Sequence, residues 1–344
     1  MNVKKLDDIP HGEDAAKVAA AVVVAGAAAA AGKVAHDRLM SSNGKPHPFR
    51  LEVGERLSDG IRGVLEGQVQ RAASHLHGRD GESPDTAVHE ARKSFKRSRA
   101  TLRLARNELA PEAFSRENRR YRDLGRDLSG ARDADVLLAT LDDIATRSGR
   151  EGAFTGLRER LVAERDARRG ELLHDDTARD AAIGRLREAE SALGGLTIDD
   201  DLTALIAGWR RTYRQGRRAY RAAGKDHATE TLHEWRKRVK DLWHQCQVCQ
   251  PLWPTRMKTM AGQASKLSDQ LGEDHDLAVL TEKARENEDA LTPEERRVLY
   301  REIKRRRRKL QKKADELGAK LYSERPRKLA GKLEKRARKA LAAA

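Results

Sequence analysis

The chain has 344 residues, 38% hydrophobic and 36% charged, which is enough apolar material for a core; 26 glycines and 9 prolines are too few for a mostly disordered chain. Lysine and arginine total 70 against 54 acidic residues, a formal charge of +16, and such a surplus attracts a polyanion or an anionic surface. Two cysteines, Cys246 and Cys249, cannot form a disulfide framework and read as small core residues of one helix, which argues against a secreted scaffold.

In chain order, the only long uncharged run is Val18 to Gly32. Its length of about 15 residues falls short of the roughly 20 that a membrane helix needs. Asp7, Asp8, Glu13 and Asp14 precede it, where a signal peptide would be basic. Asp14 to Leu39 therefore reads as an Ala-rich helix and Ser41 to Pro48 as a flexible link. The helix is either an exposed, loosely docked tail or a segment resting on a granule, membrane surface or partner.

From Pro48 onward the runs are rich in Ala, Leu, Arg, Glu and Lys at helical periodicity, without a strand pattern, so the predicted fold class is all-α. Helices are predicted over Arg50–His77, Asp85–Leu109, Pro111–Ser129, Asp133–Ser148, Glu151–Leu173 and Thr177–Leu193. Ser83 or Asp85 caps the second of these. Gly194 to Asp201 punctuates the chain near its middle, and Thr292-Pro-Glu-Glu295 carries a capping box with proline in the first turn.

The sequence also repeats. His89-Glu-Ala-Arg92-Lys93-Ser-Phe-Lys96 recurs 144 residues later as His233-Glu-Trp-Arg236-Lys237-Arg-Val-Lys240. Leu128-Ser-Gly-Ala-Arg-Asp133 recurs 143 residues later as Leu271-Gly-Glu-Asp-His-Asp276, and Arg165 and Arg169 pair at the same offset with Arg308 and Lys312. Such a fixed offset implies a duplicated helical unit. The predicted organisation is a tail and linker over 1–48, a first helical repeat over 49–195, and a second repeat with a basic C-terminal helix over 196–344.

On the helix around His89, Val88, Ala91, Phe95, Leu102, Ala105 and Leu109 form a core stripe. At 100° per residue, His89, Arg92, Lys93, Lys96, Arg99 and Arg103 share one sector beside it. The second copy repeats this: Leu232, Trp235, Val239, Leu242, Cys246 and Cys249 face the core, and His233, Arg236, Lys237, Lys240 and His244 lie alongside. Glu90 and Glu234 fall about 100° away, so no acidic residue is expected within either sector. Like charges at i,i+4 repel, so two matching cationic strips imply an anion that meets them; the alternative is neutralisation by carboxylates of a neighbouring helix. Secondary candidates are Arg165 and Arg169, the α-helical series Arg210, Arg214, Arg217, Arg218 and Arg221, and Arg308 and Lys312.

The H-x-x-R-K-x-x-K signature, present twice with a downstream Leu-Gly-x-x-x-Asp-like turn at Leu128–Asp133 and Leu271–Asp276, resembles the CHAD family (conserved histidine α-helical domain) over roughly Phe49 to Arg327. The resemblance implies two four-helix bundles related by pseudo-twofold symmetry around a basic central cavity or groove. It also implies binding of inorganic polyphosphate and, in some members, residence on polyphosphate granules in the cytoplasm. The first copy has Ser129 where the second has Gly272, a departure at the turn. No CYTH-type triphosphate-handling domain precedes the module, which removes the usual reason to expect fused phosphohydrolase chemistry.

Polyphosphate has no base to read, so it needs dense point charges and forked donors, which mixed Lys and Arg supply. His89 and His233 are expected to donate within the strips, or else to make an orienting bond to a carbonyl or carboxylate. DNA or RNA is the competing ligand, since counterion release serves it equally. Aromatics are only 4% of the chain, however, and Phe95, Trp209, Tyr213 and Trp235 fall on core stripes, where they offer no stacking platform. A phosphate loop and a nucleophile elbow are absent, and Asp133, Asp135, Asp274, His275 and Asp276 read as helix-start and inter-helix residues, so neither a cofactor, a metal nor an enzyme activity is expected.

Overall fold

The computed structural model describes residues 47–78, 82–128, 130–173 and 176–343, the side chains of 130–133, 168–173 and 176–179 excepted. The Ala-rich stretch Asp14–Leu39 and most of the link Ser41–Pro48 lie outside the described residues. The described chain is all-α, with no strand. Its helices are α1 (Leu57–Leu76), α2 (Pro84–Leu104), α3 (Pro111–Asp127), α4 (Gly130–Arg147), α5 (Thr155–Leu173), α6 (Asp176–Gly194), α7 (Leu202–Asp226), α8 (Thr229–Val248), α9 (Pro254–Glu286), α10 (Pro293–Leu321) and α11 (Pro326–Ala342).

Local chemistry explains where these helices begin. Ser83, not Asp85, caps α2 by accepting from the Thr86 N–H at 3.3 Å, with Pro84 in the first turn. Asp201 caps α7 through the Thr203 N–H, and Thr292 and Glu295 complete the capping box of α10. Prolines also open α3, α9 and α11, where the missing N–H has no helical partner to lose.

Several boundaries differ from the periodic pattern, among them the end of α2 at Leu104 rather than Leu109 and the start of α4 at Gly130 rather than Asp133. Helix α1 starts at Leu57 rather than Arg50, because the Leu51 N–H donates to the Val248 carbonyl at 3.0 Å and ties that segment to the end of α8. Helix α5 starts at Thr155, after a turn in which Gly149, Gly152 and Phe154 all adopt positive φ. The expected turn at Leu271–Asp276 is not a turn. It lies inside α9, which runs unbroken for 33 residues. Only the first copy interrupts its helix, between α3 and α4 at Leu128. Glycine alone suggests a turn; Gly272 instead serves a close side-chain approach described below.

Helices α2 and α8, which carry the two motifs, pack directly on each other. Helix α1 lies against α2 and α6, α7 against α8 and α11, and α9 against both α8 and α10. Most of the predicted core stripes is buried: Ala91, Phe95 and Leu102 on α2, Ala105 at its C-cap, and Trp235, Val239, Leu242 and Cys246 on α8 are each 1% exposed or less, whereas Val88 is only half-buried and Ala87 beside it takes the inward place. A further apolar cluster joins Leu137, Leu141 and Ile144 of α4 and Leu157 and Leu161 of α5 with Leu280 of α9 and Leu299, Ile303 and Leu310 of α10. Helices from both sides of residue 195 thus share a core.

Gly208 of α7 is where two backbones meet. A Cβ placed there would fall inside the van der Waals envelope of the Leu104 carbonyl at the end of α2. Overpacking of this kind costs about 1–3 kcal/mol, so Gly208→Ala should lower Tm. Gly224→Ala, on the same helix with nothing within 4 Å of the added methyl, should be neutral or stabilising by roughly 0.5–1 kcal/mol. Thermal unfolding of the two variants checks this. Equal shifts would mean that α2 and α7 are not held at that distance.

Candidate anion-binding site

The site grows from the crossing of α2 and α8. Gln245 of α8 donates to the Ala100 carbonyl of α2 at 3.0 Å, and Arg103 of α2 pairs with Asp241 of α8 at 3.0 Å. These contacts fix where the two cationic strips meet. Lys240 lies within electrostatic range of both Lys96 from α2 and Arg236 from its own helix. The strips therefore converge at their lysine ends. His233 lies seven residues back from Lys240, about 10 Å along the helix axis.

Arg236 and Lys240 are half-buried, one turn apart, and neither makes an ion pair or hydrogen bond among the described residues. The Arg236 Nε is buried without a partner. Its guanidinium lies over Gly272 of α9, where a Cβ would come within 3.2 Å of Nη2. Burial pushes the Lys240 ammonium down to about 7, with Arg236 and Lys96 pushing the same way and Asp276 and Asp269 opposing them. A half-buried cation that no ion pair neutralises is costly, and an arriving anion would relieve that cost.

His233 packs its ring on His275 of α9, centroids 4.6 Å apart, and its Nδ1 is buried without a partner. Burial, followed by His275, Lys237 and Arg236, pushes His233 down to about 4. Near pH 7 the ring is neutral and retains one N–H to donate. Next to His275, Asp274 is held by Arg307 of α10 at 3.0 Å and by Gln311 at 2.9 Å, which anchors α9 to α10. Sequence patterning identified Asp274 as an inter-helix residue, but it missed His275 and Gly272 as parts of the α8 site; their 143-residue register with the first copy was the available signal.

Several expected site residues behave differently. Glu90 and Glu234 do not stand clear of the strips: Lys93 pairs with Glu90 at 3.1 Å, and Lys237 with Glu234 at 3.5 Å. Glu90 and Glu234 lie 100° from His89 and His233, but only about 60° from Lys93 and Lys237, their i+3 neighbours, a gap that long side chains span. These pairs are only partly shielded from solvent, and bridges near the surface contribute only about 0–1 kcal/mol, so an incoming anion can displace the carboxylate cheaply. Arg103 is committed to Asp241, whose own carboxyl is pushed up by burial. Neutralisation by a neighbouring helix thus holds for Arg103, which makes it a bridge between α2 and α8. Arg99, pushed down to about 10 chiefly by burial and then by Arg103, donates to Asn118 of α3 at 3.4 Å. His89 lies 3.9 Å from Glu90, and His89, Arg92 and Lys96 all have further interactions.

His244 is not on the strip. It is 6% exposed, stacks on Trp243 at 5.0 Å and bonds Gln247, and burial pushes it down to about 3. Among the secondary candidates, Arg217 donates to the Tyr322 carbonyl and Arg165 pairs with Asp166, so both have local structural partners. Arg210, Arg214, Arg218 and Arg221 are exposed on α7. The Arg169 side chain lies outside the described residues. On α10, Arg307 and Gln311 turn inward, whereas Arg308 and Lys312 are exposed.

Together the fold and site define an all-α protein with half-buried cations at a helix crossing. The chain belongs to the CHAD domain family, whose model matches residues 63–285. It is similar in fold to the crystal structure of the CHAD domain from the plant Ricinus communis, with 17% identity and a TM-score of 0.55 over 82% of this chain and 97% of that one. No curated protein matches. Among the described residues no helix is long and apolar enough to cross a membrane, and no group of three His, Cys, Asp or Glu side chains is arranged to hold a metal ion.

The Lys240 shift fixes a sign for stability. Folding lowers its pKa from 10.5 to about 7. The unfolded chain therefore binds more protons between those values, and stability from this group rises with pH across that window. Its burial cost is full below pH 7 and fades towards pH 10. Lys240→Met should raise Tm near pH 6, by about 2–4 °C for each kcal/mol of repulsion relieved, and the gain should shrink steadily by pH 10. A gain that is constant with pH would show that Lys240 titrates like a surface lysine.

Proposed function

We propose that this protein binds inorganic polyphosphate, without turning it over, on the cations that α2 and α8 bring together. The observation that carries this is the Arg236–Lys240 pair: half-buried cations that make no ion pair among the described residues, with Lys96 of α2 in range and the pull of Asp276 and Asp269 outweighed by burial and repulsion. Arg236 supplies a planar fork for a phosphoryl group, Lys240 and Lys96 supply point charges, and His233 supplies a neutral donor at the outer end. Lys93 and Lys237 extend the track by exchanging Glu90 and Glu234 for phosphate, with Arg92 beside Lys93. Membership of the CHAD family supports the same ligand. Residence on polyphosphate granules would follow from this contact alone.

Nucleic acid is the weaker reading. Phe95, Trp209, Tyr213 and Trp235 are 1% exposed or less, so none presents a ring beside the strips on which a base could stack. Polyphosphate offers only charge and oxygen, which is what the strips can recognise. Half of the specificity problem is thereby absent, because no sequence has to be read.

Arg236→Glu with Lys240→Glu should weaken binding of long polyphosphate about 100-fold or more, from the roughly 2–5 kcal/mol that follows loss of a desolvated charge partner, and should flatten its salt dependence. Arg297→Glu, an exposed charge on α10, should change affinity little. Binding isotherms over a salt series check both. Equal losses at the two places would mean diffuse attraction, and displacement of polyphosphate by single-stranded DNA at matched charge and salt would favour nucleic acid. Incubation with polyphosphate and a divalent metal should release no phosphate; steady release would make the protein an enzyme.

A further inference from the structure

A second cationic feature lies apart from the α2–α8 crossing, and α11 builds it. Leu329, Ala330, Leu333 and Ala337 bury one face of this helix. Lys332, Lys335, Arg336 and Lys339 therefore share the opposite side at i, i+3, i+4 and i+7. They line a cleft of about 730 Å³ together with Trp253 and Arg256 at the start of α9, within the roughly 300–1,000 Å³ typical of small-molecule sites. Arg256 and Gly272 are 16 residues apart on one helix, about 24 Å by helical rise, so the cleft is separate from the α8 site.

The charges in the cleft do not balance. Its one acid, Glu324, is shared by Arg256 at 2.8 Å and Lys332 at 2.5 Å. Lys335, Arg336 and Lys339 are exposed and make no ion pair among the described residues. The Arg256 Nε is buried without a partner. An anion of several charges would be accommodated here.

The tryptophan distinguishes this cleft from a plain anion patch. Trp209 and Trp235 have no exposure, and Trp243 stacks on His244. Trp253 is only partly buried, lines the cleft and stacks on no ring among the described residues. An indole beside several cations offers a π-face for an aromatic base, with phosphate-binding groups within reach. Inorganic phosphate chains have no use for such a face.

We propose that the Trp253–α11 cleft binds a phosphorylated nucleoside, its base on Trp253 and its phosphates on Lys335, Arg336 and Lys339. This does not rest on polyphosphate binding at α8. Adenosine triphosphate is the probe and inorganic tripolyphosphate the control that lacks a base. Binding to each is measured by calorimetry in the wild type and in a Lys240→Met background, which leaves the cleft intact. Adenosine triphosphate should lose about tenfold in affinity in Trp253→Ala, while tripolyphosphate is unaffected. Lys335→Glu with Lys339→Glu should weaken the nucleotide at least tenfold, and the Lys240→Met background should retain the Trp253-dependent part of its binding. Trp253→Phe, which keeps a ring and protects the fold, should restore most of the affinity. The proposal is overturned if adenosine triphosphate does not bind, if Trp253→Ala leaves its affinity unchanged, or if the Trp253 effect disappears in the Lys240→Met protein.

Discussion

An unpaired charge that folding has half removed from water is the constraint around which this molecule is organised. Arg236 and Lys240 sit one turn apart on α8, where burial and mutual repulsion bring the lysine down to about 7. Other cations of the chain are treated differently: Arg160, Arg238 and Arg296, for example, each hold a carboxylate. The fold spends stability at one place and recovers it at others, a pattern expected where a charged ligand completes a site.

The scaffold explains how that arrangement persists. Asp241 bridges to Arg103 and Gln245 to the Ala100 carbonyl, so α8 cannot slide relative to α2 without breaking a buried pair. Behind them, α9 contributes Gly272 beneath the Arg236 guanidinium and His275 against His233. Helix α9 is held in turn by the Arg307–Asp274–Gln311 contacts from α10. Three layers of helix therefore determine where a handful of cationic atoms point, which is the rigidity a preorganised anion site needs.

Much of this was legible in the sequence, and the exceptions share a cause. Periodicity located the core faces of α2 and α8 because burial follows helical angle, as Phe95 and Trp235 illustrate. The 144-residue echo located both motifs because repetition is written in the chain itself. That Glu90 reaches Lys93 was legible too, because i,i+3 neighbours lie only about 60° apart, but angles measured from His89 alone concealed it. Angle could not separate Arg103 from Lys240: both lie on cationic faces, and only tertiary packing gives one an ion pair and leaves the other without. Gly272 looked like a turn because its reason, an arginine from another helix, lies outside local sequence. The Trp253 cleft escaped notice for the same reason, its tryptophan and its lysines being about 80 residues apart in the chain.

The most direct measurement is a crystal structure of the protein grown with a polyphosphate of defined length. The account predicts consecutive phosphoryl groups within hydrogen-bond distance of Arg236, Lys240 and Lys96, with the His233 N–H facing the same chain. Phosphate density found only on the exposed arginines of α7 or α10, with the α2–α8 crossing empty, would contradict it.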